Sequence, residues 1–213
     1  MFLLLLLLVT PLQAKPKTFA KPDATFVRQR STYIIIVPSE SVRWCLGKPS
    51  PHRFTVNGTF FDKRTGRLLG KVVADGKQVS PPVGGKPPRP EIDLPHLTIG
   101  GGVTLVLNGK VDIRLRQEKF RRDVGQSRRM AAMGVNQRGD KCVLLVTTNR
   151  SIRQVAKLML GYGCYKAMRL DGGSSTFLSV NNRTVVSGRR HNCIYIVPNG
   201  KSEHCIDTFL KLM

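Results

Sequence analysis

Acidic residues are scarce in this chain. Thirteen Asp and Glu stand against 35 Lys and Arg in 213 residues, giving a net charge of +22. Such a surface attracts polyanions: nucleic acid, anionic lipid headgroups or acidic cell-wall polymers. Other absences narrow the field. None of the five cysteines (Cys45, Cys142, Cys164, Cys193, Cys205) has CxxC spacing, which argues against a zinc site. His52, His96, His191 and His204 form no ligand spacing and no metal motif is visible, which leaves only a Ca²⁺ or Mg²⁺ near Asp171 open, and no cofactor is expected. There is no internal repeat and no low-complexity tract. No basic motif is interleaved with aromatics, so specific nucleic-acid binding is not expected, and salt-sensitive DNA binding would follow from charge alone.

Long apolar runs are missing too, with one exception at the N-terminus. Residues 2–9 (FLLLLLLV) are too few to span a bilayer but suit the core of a signal peptide, although its usual positive flank is lacking. Cleavage after Ala14 is expected, with a secreted, periplasmic or cell-envelope destination and no transmembrane segment in the mature chain. In such a compartment one or two disulfides could form, leaving at least one thiol.

What remains has ordinary hydrophobic content, 41%, enough for one domain with a sizeable core. Residues 15–30 read as an exposed lead-in and residues 31–213 as the domain. Residues 31–37 (STYIIIV) read as a buried strand ended by Pro38. Residues 66–79 read as two short strands around Asp75-Gly76, and residues 103–116 as a hairpin on Asn108-Gly109. Residues 80–97, with six prolines, read as a long irregular loop over the site. Residues 130–135 and 142–147 read as apolar strands. A helix follows: Ser151 and Gln154 make a capping box, Ile152, Val155, Ala156 and Met159 share one face, and Gly161 and Gly163 stop it. Residues 166–170 are the next strand, 176–186 a hairpin and 191–197 a last strand. Strand, helix, strand suggests a βαβ unit with parallel strands. The expected fold class is therefore mixed α/β (α+β): a single domain with a central mixed sheet, several hairpins and one main crossover helix.

That unit would put Asp171 at a strand end, ahead of Gly172, Gly173, Ser174 and Ser175. Glycines there let backbone approach a ligand, and the N–H and hydroxyl groups supply donors. The alternative is a tight turn capped by Asp171. Asn57-Gly58 reads either as a hairpin turn or as the opposite wall of a site. Asp62 is a second candidate carboxylate or a loop cap.

Three segments carry a resemblance together: Val56-Asn57-Gly58-Thr59-Phe60-Phe61-Asp62, Arg129-Met130-Ala131-Ala132-Met133-Gly134-Val135, and Arg169-Leu170-Asp171-Gly172-Gly173-Ser174-Ser175-Thr176. In order and spacing they resemble the phosphodiester glycosidase family, over roughly residues 31–198. Gly188-Arg189-Arg190-His191-Asn192 also matches its pattern. The resemblance implies cleavage of a sugar-1-phosphodiester at the anomeric carbon by an exported hydrolase acting on a glycan or sugar phosphodiester. Asp171 would then be nucleophile, base for water or electrostatic stabiliser, with Asp62 second. Phosphate is a good leaving group, so positive charge matters more than a second acid. Arg129 and Arg190 would hold the phosphate, Arg129 through a bidentate fork or else as a mere surface charge. Asn57, Gly58, Gly172, Gly173, Ser174 and Ser175 would line the substrate. The competing expectation is a non-catalytic module that binds an anionic envelope polysaccharide or other polyanion.

Overall fold

The computed structural model describes residues 17–21, 24–47, 52–81, 90–189 and 191–197. The signal-peptide reading of residues 1–14, together with Arg190, His204 and Cys205, lies outside them. In chain order the first strands are β1 (Lys17–Lys21), β2 (Ala24–Gln29), β3 (Thr32–Pro38), β4 (Val42–Leu46), β5 (Phe54–Asn57), β6 (Val72–Ala74) and β7 (Lys77–Ser80). Next come β8 (Glu91–Leu94), β9 (Leu97–Gly100), β10 (Val103–Leu107), β11 (Lys110–Val111) and the short helix α1 (Arg122–Gln126). The last third holds β12 (Met130–Val135), β13 (Lys141–Thr147), helix α2 (Ile152–Gly161), β14 (Lys166–Gly172), β15 (Leu178–Val180), β16 (Arg183–Val186) and β17 (Asn192–Ile196).

These strands make three sheets. The largest has the order β1-β2-β3-β13-β12-β14-β10-β11, the second β16-β15-β5-β17-β4, and the third β7-β6-β9-β8. Every pairing among the described strands is antiparallel. The mixed α/β expectation is therefore wrong: among the described residues the protein is mainly antiparallel β with one substantial helix. The βαβ reading failed for a definite reason. β12 lies between β13 and β14 and pairs antiparallel with both, so the two strands flanking α2 share a direction without sharing hydrogen bonds.

Both faces of the large sheet are covered, which is why its central strands are apolar without alternation. One face packs Ile35, Leu144, Met133 and Leu170 against Phe54, Val56 and Ile194 of the second sheet and Val72, Leu97 and Ile99 of the third. The other face packs Ile34, Ala132 and Leu145 against Ile152, Val155, Ala156 and Met159 of α2. The capping box is present in full: Gln154 N–H donates to the Ser151 hydroxyl at 3.3 Å, and Ser151 N–H to the Gln154 side chain at 2.9 Å.

Three local expectations also change. The segment read as an exposed lead-in forms β1 and part of β2, which extend the large sheet, with Ala24 and Val27 buried. The proline-rich stretch read as irregular contains β8 and the start of β9. Asn57-Gly58 is not a hairpin turn, because β5 pairs with β15 and β17, more than a hundred residues away. Among the described residues, no helix is long and apolar enough to cross a membrane.

Candidate active site

The predicted glycine-serine segment closes β14. Met130 of β12 faces Gly172 while Ala132 faces Arg169, so β14 carries one extra residue there. A bulge of this kind bends the strand and re-aims its side chains. Beyond it the chain makes a single 3-10 turn, Gly173–Ser175, entered through Gly173 at φ +61°, a conformation that favours glycine.

Asp171 projects from the bulged segment. Its Oδ1 accepts the Gly172 N–H at 2.7 Å, and the buried Ser175 hydroxyl also hydrogen-bonds the carboxyl. Burial pushes the pKa of Asp171 above the ordinary carboxylate value, against the opposing pull of these hydrogen bonds and of the Arg169 and Lys63 charges. A carboxylate perturbed in this way beside glycine backbone is a candidate for chemistry.

Asn57 and Gly58 form the neighbouring wall, and both are committed to the scaffold. Asn57 Nδ2 donates to the Asp171 carbonyl at 2.9 Å, and Asn57 Oδ1 accepts the Phe177 N–H at 2.9 Å. The amide thus sets the backbone on both sides of the turn. Gly58 is tied by its carbonyl to the Asp171 N–H at 3.2 Å and by its own N–H to the Asn192 carbonyl at 2.8 Å. A Cβ on Gly58 would overlap Asn192 Oδ1. That oxygen is already held by Trp44 Nε1 and the Thr59 N–H.

Arg129 does not stand as an open phosphate fork. Its Nη2 donates to the Ser187 carbonyl at 2.7 Å, and its Nε lies 3.4 Å from the Gly173 carbonyl. The Gly173 N–H returns a bond to the Arg129 carbonyl at 2.9 Å. The side chain latches the 173 turn to the 187 segment. Asp62 caps its own turn, accepting from the N–H groups of Arg64 and Thr65 at 2.8 and 3.0 Å, bonds that hold its pKa below the ordinary value. Ser174 is exposed at the turn, and its carbonyl accepts the Arg189 N–H at 2.8 Å. His191 stacks on Phe61 with ring centroids 4.3 Å apart.

Sequence reasoning passed over Arg169 and Asn192. Arg169 is 2% exposed, and its side chain lies against Gly172, where a Cβ would sit 2.5 Å from Nη2. A charged residue flanked by Met168 and Leu170 in a buried strand was the available signal, since Arg is almost never fully buried without a purpose. Asn192 gave no local signal, because its partners Trp44 and Thr59 are distant in the chain. A cavity of about 540 Å³ lies elsewhere, lined among others by Pro38, Glu40, Asp140 and Lys141. Lys141 pairs with Pro38 at one end of β13, whereas Thr147 at the other end pairs with Met130, opposite Gly172. The cavity is therefore at the far end of the sheet from Asp171. Among the described residues, no cluster of three His, Cys, Asp or Glu side chains could hold a metal ion.

The family model for phosphodiester glycosidase matches residues 82–200. No protein of curated function matches the sequence. Among solved structures, the chain is similar to the catalytic domain of zebrafish N-acetylglucosamine-1-phosphodiester alpha-N-acetylglucosaminidase, auto-inhibited by its pro-peptide. The two share 17% identity and a TM-score of 0.62, over 86% of this chain and 82% of that one. It is also similar to a hypothetical protein from Synechocystis, at 14% identity and TM-score 0.62 over 85% of this chain, which spans only 61% of that protein. A Burkholderia pseudomallei protein gives 11% identity and TM-score 0.52 over 82% of this chain and 74% of that one. At these identities the structures establish a shared fold.

Proposed function

Since the chain belongs to the phosphodiester glycosidase family, a family of hydrolases, we propose that it cleaves a sugar-1-phosphodiester at the anomeric carbon, with Asp171 as the working carboxylate. The observation that carries this reading is the setting of Asp171: half-buried, raised in pKa, and oriented by Gly172 and Ser175. In the reaction the oxygen of a water molecule bonds to the anomeric carbon, and its proton passes to Asp171. The bond from that carbon to the phosphate oxygen breaks, and its electron pair leaves with the phosphate monoester. A carboxylate whose pKa is shifted toward neutrality is the better base. The phosphate departs without a second acid, which accords with Asp62 being engaged in its own turn.

The zebrafish relative's name makes an N-acetylglucosamine-1-phosphodiester the first substrate to try. The full chain incubated with it in ¹⁸O-water should release free sugar carrying the label, and Asp171→Asn should lower turnover by about 10²–10⁴-fold. Label in the phosphate would identify a phosphodiesterase instead. Saturable binding without any release by the folded protein would favour a polyanion-binding module. Export belongs to the same proposal and rests on the apolar N-terminus: the mature protein should begin near Lys15 on N-terminal sequencing, and retention of residues 1–14 would refute it.

A further inference from the structure

Arg169 is a buried cation with nitrogens that no described residue engages. Its Nε and Nη1 are buried and have no hydrogen-bond partner among the described residues. A guanidinium carries five N–H donors and no acceptor, and leaving such a group dry and unpaired is costly. Native proteins seldom do so without a reason. The neighbours do not supply one. The Phe60 ring, its centroid 6.0 Å from Cζ, offers only a π face. Asp171 and Asp123 attract the charge through space, but neither receives a hydrogen bond from Nε or Nη1. Burial lowers the Arg169 pKa to about 10, which leaves it positive at neutral pH. The fork lies across Gly172, next in sequence to Asp171, against backbone that carries no side chain.

We propose that Arg169 is the phosphate-binding residue of this site, its planar fork receiving two oxygens of a phosphate ester while Asp171 faces the anomeric carbon. The geometry of a guanidinium suits a tetrahedral oxyanion through two parallel hydrogen bonds. Arg129, the expected phosphate ligand, already donates to two carbonyls. The identity of the ester rests on the glycosidase reading; the anion site itself does not.

The test is calorimetric titration of the full chain with inorganic phosphate at physiological salt, which screens the basic surface. Saturable one-site binding is expected, weakened about 10- to 100-fold in Arg169→Met, as for loss of one or two charge-assisted hydrogen bonds. Lys157→Gln, exposed on α2, should bind as the wild type does. Without phosphate, Arg169→Met should melt no lower than the wild type, because an orphaned charge has been removed; saturating phosphate should reverse that order. Equal phosphate binding by Arg169→Met and wild type overturns the proposal. So does a variant that melts lower or fails to fold without phosphate, since the guanidinium would then be holding structure. Lost phosphate binding in a protein that turns over no sugar phosphodiester leaves the anion site standing and removes the glycosidase reading. Turnover by Arg169→Met with an unchanged KM does the reverse.

Discussion

The side-chain amide of Asn57 donates to the main-chain carbonyl of Asp171 at 2.9 Å, so the candidate catalytic carboxylate hangs from backbone that a residue 114 positions earlier holds in place. The same amide accepts the Phe177 N–H beyond the turn. One buried side chain therefore sets both ends of the segment that carries Asp171, Gly172, Gly173 and Ser175.

Asn57→Ala should accordingly cost stability as well as activity. It removes two hydrogen bonds, one of them to the buried Phe177 N–H, a loss of about 1–3 kcal/mol. Urea unfolding measures it. Undiminished stability would mean that water replaces the amide.

Gly58→Ala should be more damaging than its size suggests. The added methyl meets Asn192 Oδ1, which Trp44 and Thr59 hold in place. Overpacking of this kind typically costs about 1–3 kcal/mol. The double variant with Asn192→Ala should recover part of the melting temperature lost through the clash; strictly additive losses would place the strain elsewhere.

Asp171→Asn separates chemistry from stability. Burial raises the folded pKa above the unfolded one, so between the two values the folded chain binds more protons and stability falls as pH rises. The penalty is full above the folded pKa and absent below the unfolded one. The variant should thus be at least as stable as the wild type at neutral pH, the gap closing as pH falls toward about 4. Activity of the wild type should fall away on an acidic limb that lies above the ordinary carboxylate range, because the base must be deprotonated to take the water proton. A wild type that is the more stable protein at every pH would make Asp171 a structural cap.

Arg129→Ala should impair a sugar phosphodiester and a glycoside with a neutral, activated aglycone about equally. Its bonds go to the Ser187 and Gly173 carbonyls, and losing them loosens the turn for any substrate. Arg129→Lys should rescue little, because an ammonium lacks the fork that reaches two carbonyls at once. A selective loss on the phosphodiester would restore Arg129 as a phosphate ligand.

Local signals were read well from the chain. The Ser151–Gln154 box, the turns at Asp75-Gly76 and Asn108-Gly109, and the apolar strands at 130–135 and 142–147 depend on residues close in sequence, where propensity and periodicity act. What escaped depends on pairing across long separations. Nothing near α2 indicates that β12 inserts between its flanking strands, so a split pair was read as a parallel one. Asn57-Gly58 has the composition of a hairpin turn, and only the distant Asn192 reveals why glycine stands there. Arg129 and Arg169 each introduce one of the blocks that carry the family resemblance, but burial, which distinguishes a latch from an orphaned cation, is a property of the folded molecule.

The position of β5 between β15 and β17 has a consequence in time. Both neighbours are translated more than a hundred residues after β5. At ordinary ribosomal speeds of about 5–20 residues per second, that is a wait on the order of ten seconds. Throughout it, Phe54–Asn57 has two unpaired edges, and neither Phe177 nor Asn192 exists to meet its partner. Non-local pairing of this kind slows folding and leaves adhesive strand edges open. The turn that carries Asp171 therefore lacks the wall that Gly58 builds with Asn192 until β17 is made, and that interval is when the nascent chain is most exposed to aggregation.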